Sequence, residues 1–142
     1  QLKRLLESQK MTEQEAECIR IRDIRRFVES GLGQRMKKAA MKKHLYREQP
    51  FVIQRNASML DDGWKNETVL VQGIIDAYFM EEEEIVLVDY KTDRVKRGQE
   101  QKLIDLYHVQ LEDYARALER MTGKRVKEKI IYSFTLQKEI LL

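Results

Sequence analysis

Two apolar, strand-like runs separated by four glutamates limit most strongly what this chain can fold into. Val69 to Met80 and Ile85 to Thr92 are rich in β-branched and aromatic residues, and Glu81 to Glu84 form a solvated connection between them. Consecutive strands joined in this way most simply form an antiparallel hairpin. Each run also carries an aspartate, Asp76 or Asp89, although charged side chains are rarely buried unless they are paired.

Helical patterns lie on both sides of this hairpin. Thr12 to Glu15 has the form of a capping box, which predicts a helix that ends at Ser30-Gly31. A second, basic helix is predicted over about Leu32 to Lys43. The strongest helical pattern runs from about Gln99 to Met121, and Gly123 suits the left-handed position that follows a helix.

Two other segments, Phe51 to Arg55 and Lys129 to Leu136, have the composition of strands, and Asp61-Asp62-Gly63 is a turn signal. The order is therefore helices, strands, helix, strand. This order predicts an α/β, α+β-like fold in which helices pack on a mixed sheet. The chain of 142 residues has the size of one domain.

Composition excludes several classes of protein. A hydrophobic content of 42% and a charged content of 36% are typical of a globular domain. The single cysteine, Cys18, rules out an internal disulfide and a cysteine-type zinc site, and its helical context predicts a small core residue. No apolar run approaches the roughly 20 residues of a membrane span, and no signal peptide is visible. The expected location is therefore cytoplasmic.

The two aspartates and a nearby lysine suggest a chemical site. Side chains alternate along a strand, so Asp89 and Lys91 point to the same face, and hairpin pairing brings Asp76 near them. Facing carboxylates repel each other unless a cation lies between them, and oxygen ligands favour hard divalent ions. Together, these side chains indicate a site for phosphodiester hydrolysis. The alternative is a set of strand-end salt bridges.

The long helix presents polar residues beside its apolar stripe. Gln110 and Tyr114 are four residues apart and share a face with Tyr107. A buried glutamine needs a hydrogen-bond partner. Gln110 therefore either belongs to the site or lies at a solvated edge of the helix.

Basic residues cluster immediately after the second strand of the hairpin. Beside a nuclease site, this cluster would follow the phosphates of DNA without reading bases; it would otherwise be a solvated loop. Its members are Arg94, Lys96, Arg97 and Lys102. A second basic group, with a weaker link to the site, contains Arg35, Lys37, Lys38, Lys42 and Lys43. Trp64 would either stack on a base or cap the core.

Several of these stretches resemble the RecB-like branch of the PD-(D/E)xK nucleases, and most closely the C-terminal nuclease domain of AddA-type helicase–nucleases. The matching stretches are "YREQPF", "VQGIIDAYF", "LVDYKTDRV" and "YHVQLEDYA", which span Tyr46 to Ala115, and "FVESGLGQRMKKA" before them. The resemblance implies a restriction-endonuclease-like mixed sheet flanked by helices. It also implies that residues 1–142 form a single nuclease domain of a larger helicase–nuclease.

The resemblance assigns metal binding to Asp76 and Asp89, assisted by the backbone carbonyl of Tyr90. The implied metal is magnesium, with manganese as the alternative. Lys91 would position the attacking water or stabilise the transition state.

The resemblance also gives roles to residues outside the metal site. Gln110 and Tyr114 match the family's glutamine–tyrosine motif on the helix that lines the DNA channel. Glu48 matches an acidic residue that precedes the strands and would lie at the edge of the site.

One feature of the family is missing from the sequence. RecB-like nucleases usually carry a histidine ligand on an earlier helix, and neither His44 nor His108 has that context. Both are expected to be surface or bridging residues. The first residue is Gln1 rather than Met, so the histidine helix is expected upstream of this chain.

The resemblance implies an exonuclease that degrades single-stranded DNA from 3′ to 5′ during double-strand break processing and recombinational repair, together with a partner subunit of the AddB type. No Walker-type loop is visible, so no ATP hydrolysis is expected from these residues. Two alternatives remain open. One is a nuclease-like module that only binds or guides DNA, and the other is an unrelated α/β interaction module.

Overall fold

A computed structural model describes residues 21–56 and 68–142 of the chain. Four features predicted from the sequence lie outside these ranges. They are the Thr12–Glu15 capping box, Cys18, the Asp61–Gly63 turn and Trp64.

Five strands form one mixed sheet in the sequential order β1-β2-β3-β4-β5. The β3–β4 pair is parallel and the other three pairs are antiparallel. The long helix α3 connects β3 to β4, as the crossover between parallel strands requires. The strands are β1 (Leu45–Asn56), β2 (Thr68–Glu81), β3 (Glu84–Lys91), β4 (Val126–Ser133) and β5 (Lys138–Leu141).

Three helices of the described residues cover the two faces of the sheet. They are α1 (Ile21–Glu29), α2 (Gly31–Met41) and α3 (Glu100–Thr122). On one face, Leu111 and Leu118 of α3 pack with Leu87 of β3 in a buried cluster. On the other face, Phe27 of α1 and Met36 of α2 belong to a second buried cluster. The predicted α/β architecture with a mixed sheet is therefore confirmed.

A tight junction joins α1 to α2. Ser30 is the N-cap of α2, and its hydroxyl accepts a hydrogen bond from the Gly33 backbone N–H at 3.1 Å. A Cβ atom on Gly33 would lie 2.1 Å from the Phe27 carbonyl oxygen, so only glycine fits there. The predicted helix end at Ser30-Gly31 is thus a boundary between two helices.

The predicted helix ends agree with the structure, but two strand predictions were wrong in extent. Gly123 takes the left-handed conformation with φ of 70° and ends α3 as predicted. The first strand begins at Leu45 rather than Phe51, because the charged residues before Pro50 pair with β2 at an exposed sheet edge. Pro50 is tolerated there because β1 is an edge strand.

The last strand predicted from the sequence, Lys129 to Leu136, overlaps β4 and the turn after it, and β5 was not predicted. The apolar run to Leu136 predicts one strand, but β4 ends at Ser133 and a turn leads into β5. Phe134 keeps an apolar pattern through this turn, because it is buried against the rings of Phe27 and Tyr132. A buried residue in a turn can thus give the sequence the same apolar pattern as a strand.

None of the helices in residues 21–56 and 68–142 is long and apolar enough to cross a membrane.

Candidate active site

The site lies where the regular pairing of the sheet is interrupted. Ile75 and Tyr78 pack in the same core cluster although they are three residues apart, whereas strict alternation would place them on opposite faces. The interruption falls at Asp76, which is missing from the β1–β2 ladder. Glu48, the counterpart of Asp76 on β1, is also missing from this ladder and has a left-handed φ of 51°. The regular pairing of β1 with β2 is therefore broken at Asp76.

Asp76 and Asp89 occupy neighbouring positions on β2 and β3. The β2–β3 ladder runs to the Ala77–Val88 pair, and the two aspartates take the next position. Both are buried, with exposures of 8% and 3%. Asp76 Oδ2 accepts a hydrogen bond from the Tyr90 backbone N–H at 2.9 Å, which ties its carboxylate to β3.

Lys91 lies on the same face of β3 as Asp89. Its Nζ is 2.9 Å from Asp89 Oδ2, and it donates a hydrogen bond to Gln110 Oε1 at 2.9 Å. Gln110 therefore has the hydrogen-bond partner that a glutamine beside an apolar stripe needs, and this partner is Lys91. The contact brings α3 and β3 together at the site.

Tyr90 points to the opposite face of the sheet, as alternation requires. Its ring packs edge-on against Phe27 of α1, with ring centroids 5.4 Å apart, so only its backbone faces Asp76. Burial, followed by the nearby carboxylates, raises the pKa of the Tyr90 phenol.

Tyr114 projects from α3 toward the two aspartates. Burial is the largest cause of a raised pKa for its phenol, and the charges of Asp89 and Asp76 raise the pKa further. A tyrosine phenol is protonated at neutral pH even at its ordinary pKa of about 10, so the Tyr114 hydroxyl can donate a hydrogen bond. Gln110 and Tyr114 also line an open groove of about 290 Å³ between α3 and the β1–β2 pair.

The remaining predicted residues lie around this centre or away from it. Glu48 is exposed. It lies within β1, beside Asp76 of β2, rather than before the strands. The basic residues Arg94, Lys96, Arg97 and Lys102 are exposed in the segment that follows β3 and in the first turn of α3. His44 and His108 are both exposed.

The donor atoms at the site suit a hard divalent cation. Two neighbouring carboxylates and a backbone carbonyl offer only oxygen ligands, which magnesium and manganese prefer. Asp89 Oδ2 is buried and accepts no hydrogen bond from the described residues. Its contact with Lys91 is an ion pair whose geometry is not that of a hydrogen bond. A buried carboxylate oxygen in this state suits a ligand position. The described part of the chain holds no group of three His, Cys, Asp or Glu side chains arranged for a metal.

The structure adds contacts of two further residues to this region. The Lys91 ammonium lies over the ring of Tyr107, 3.9 Å from its centroid, and the Tyr107 hydroxyl donates to Asp93 Oδ2 at 2.7 Å. The sequence pattern places Tyr107 on the helix face of Gln110 and Tyr114 but gives it no role, and it gives no signal for Asp93.

The fold and the site define a class of nuclease. The chain belongs to the PD-(D/E)XK nuclease superfamily, whose sequence profile matches residues 2–140.

Among individual proteins, the chain is similar to bacterial ATP-dependent helicase/nuclease subunits of the AddA type. It is 39% identical to that of Clostridium novyi over 145 residues, which cover 99% of this chain and 12% of the relative. Identity is 41% to the Thermoanaerobacter sp. X514 protein and 43% to the Acetivibrio thermocellus protein, each covering 94% of this chain and 11% of the relative. The chain thus spans 11–12% of the length of these relatives.

Proposed function

We propose that this chain is the metal-dependent DNA exonuclease domain of an AddA-type helicase–nuclease. It hydrolyses phosphodiester bonds of single-stranded DNA with 3′-to-5′ polarity, during double-strand break processing and recombinational repair in the cytoplasm. The observation that carries the proposal is the convergence of Asp76, Asp89 and Lys91 at the irregular position of the sheet. Membership of the nuclease superfamily supports it.

Asp76 and Asp89 would hold the metal through their carboxylates, and Tyr90 would contribute its backbone carbonyl. The proposed ion is magnesium, with manganese as a substitute. A bound divalent ion would supply positive charge to a phosphate oxygen and make water more acidic. The hydrogen bond from the Tyr90 N–H to Asp76 fixes one carboxylate before any ligand arrives.

Lys91 acts on the substrate rather than on the metal, because an ammonium group has no lone pair to donate. Its contact with Asp89 keeps it beside the metal position, and its hydrogen bond to Gln110 aims it toward α3. There it would orient the attacking water or offset charge that develops on the phosphate. The Tyr114 hydroxyl would donate a hydrogen bond to the DNA strand, and Glu48 would complete the rim of the site.

We propose single-stranded DNA as the partner because of the positive charge beside the site. The exposed basic residues after β3 lie next to the catalytic strand, where they would contact phosphates without reading sequence. Residues 1–142 would form one nuclease domain of a longer protein that works with a partner of the AddB type. The relatives are named as subunits of a helicase/nuclease, which supports this arrangement.

The test compares Asp89→Asn with Asp105→Asn in a protein extended to the length of the relatives. Asp105 is an exposed acid on α3 and serves as the matched control. Single-stranded DNA labelled at either end is digested with magnesium, manganese, calcium or EDTA. We expect Asp89→Asn to abolish cleavage while unwinding continues, and Asp105→Asn to retain both activities. Loss of 5′-labelled full-length strand into a ladder of shorter products supports 3′-to-5′ polarity. Cleavage that persists in Asp89→Asn or in EDTA would contradict the proposal.

A further inference from the structure

The ammonium group of Lys91 lies among three groups. Asp89 and Gln110 contact its Nζ at 2.9 Å, and the ring of Tyr107 lies beneath it at 3.9 Å. The first two are polar residues already assigned to the proposed site. Tyr107 is half-buried on α3 and has no assigned role.

The ring of Tyr107 is itself held in place. Its hydroxyl donates to Asp93 Oδ2 at 2.7 Å, and Asp93 lies two residues after Lys91. The Asp93 backbone carbonyl in turn accepts a hydrogen bond from Thr135 Oγ1 at 2.7 Å. The segment after β3 is thereby tied both to α3 and to the turn after β4.

We propose that Tyr107, held by Asp93, is a positioning residue for Lys91. A lysine side chain is long and flexible, and the contact with Asp89 alone would leave the ammonium free to pivot about that carboxylate. The face of an aromatic ring attracts a cation without neutralising it. Tyr107 therefore gives Lys91 a third contact, uncharged like that with Gln110, which fixes the direction of the ammonium while it stays on Asp89.

This inference rests on the proposed nuclease function for its catalytic consequence, but the placement of Lys91 can be measured separately. A ring beneath an ammonium shifts the proton resonances of the adjacent lysine ε-methylene group upfield. The metal-free 142-residue chain with labelled lysine is therefore compared by NMR with its Tyr107→Leu, Tyr107→Phe and Asp93→Asn variants. We expect the upfield shift in the wild type, its loss in Tyr107→Leu, and its retention at reduced size in Tyr107→Phe.

Kinetics in the extended protein then test the consequence for catalysis. Tyr107→Leu should lower kcat about 10- to 100-fold, because a small misplacement of a catalytic group costs up to about that much. Tyr107→Phe and Asp93→Asn, which keep the ring but lose the hydroxyl–carboxylate hydrogen bond, should lower kcat only about 2- to 10-fold. KM for single-stranded DNA should stay close to that of the wild type in all three variants, because binding of the strand is not the step affected.

Matched controls separate positioning from general damage. Tyr46→Leu removes an exposed tyrosine of β1 that stacks on Tyr78 rather than on Lys91, and Asp105→Asn removes an exposed acid from α3. Both should leave kcat and the Lys91 resonances unchanged. The inference would be overturned if Tyr107→Leu left the Lys91 signal where it is in the wild type. It would also be overturned if Tyr107→Leu did not lower kcat. A wild-type protein that retains the NMR signature but cuts no DNA would instead contradict the proposed function alone.

Discussion

At the scale of single residues, the position of a charge matters more than its presence. Asp89 and Lys91 form an ion pair of a kind that any strand end can carry, but both are largely buried, and Lys91 also contacts Gln110 on another element. A surface salt bridge needs no such support and contributes little to stability. The added contact with Gln110 supports the role that we propose for Lys91.

Lys91→Ala should reduce turnover much more than it reduces metal affinity. We expect kcat to fall about 100- to 1,000-fold, the range seen when one group that stabilises a transition state is removed. Manganese affinity should be unchanged or slightly tighter, because removing a cation beside Asp89 cannot weaken a cation's attraction to it. Calorimetric titration of manganese and single-turnover cleavage measure the two effects. Lys37→Ala, an exposed lysine on α2, is the control. Weakened manganese binding with normal turnover at saturating metal would contradict the role given to Lys91.

At the scale of secondary-structure elements, the helix junction shows how a glycine sets the packing. Gly33→Ala would place a Cβ 2.1 Å from the Phe27 carbonyl oxygen and 2.6 Å from that of Val28. Backbone atoms cannot swing aside as a side chain can, so α1 must shift away from α2. We expect a loss of about 1–3 kcal/mol in the free energy of unfolding, typical of overpacking.

Gly31→Ala is the matched control for Gly33→Ala. A Cβ there meets nothing within 4 Å, and alanine favours a helix over glycine by up to about 1 kcal/mol. Gly31→Ala should therefore leave stability unchanged or raise it slightly. Urea unfolding followed by circular dichroism measures both variants, and equal stabilities would mean that α1 and α2 are not fixed against each other.

A partly exposed ion network fastens α2 to the sheet. Arg35 forms a bidentate contact with Glu81 of β2, at 2.7 and 3.0 Å, and also contacts Glu128 of β4. Arg35 is the main cause of a Glu81 pKa lowered from 4.5 to about 2, and Lys127 contributes in the same direction. The charged form of Glu81 is therefore favoured in the folded state.

The pKa of Glu81 predicts a specific acid sensitivity. Because the folded-state pKa is lowered, its stabilising contribution is complete above about pH 4.5 and is lost as the pH falls toward 2. Glu81→Gln should destabilise the protein by about 1 kcal/mol at pH 7, after allowance for solvent screening, and should flatten the pH dependence in that window. Glu82→Gln, at an exposed neighbour with no ion pair among the described residues, is the control. Parallel pH profiles for the wild type and Glu81→Gln would contradict this account.

At the scale of the whole molecule, the hairpin and the long helix were predictable because local patterns determine them. The alternation of β3 and the spacing of Leu103, Leu111 and Leu118 on α3 follow from burial of one face. The end of β4 was not predictable, since Phe134, in the turn that follows, is buried by contacts with α1. The contacts of Lys91 with Tyr107 and of Tyr107 with Asp93 were also hidden, because they depend on how α3 sits against the strand that precedes it.

The distribution of charge over the whole molecule leads to the last prediction. The net charge is only +3, so attraction of DNA must depend on where the basic residues lie. Arg94 and Arg97 are exposed just after β3, whereas Lys42 and Lys43 lie near the opposite end of the sheet, where β1 begins. Two double charge reversals, Arg94→Glu with Arg97→Glu and Lys42→Glu with Lys43→Glu, therefore change the net charge equally at different places.

We expect the reversal at Arg94 and Arg97 to weaken binding of single-stranded DNA about equally for every sequence. The slope of log affinity against log salt should become shallower by about 1.4, which corresponds to two lost phosphate contacts at about 0.7 each. The reversal at Lys42 and Lys43 should change the slope much less, because the strand would not reach them from the site. Fluorescence anisotropy over a range of salt concentrations, with calcium in place of magnesium to prevent cleavage, measures both slopes. Equal effects from the two reversals would mean that DNA responds to net charge alone, and the segment after β3 would then be an ordinary solvated loop.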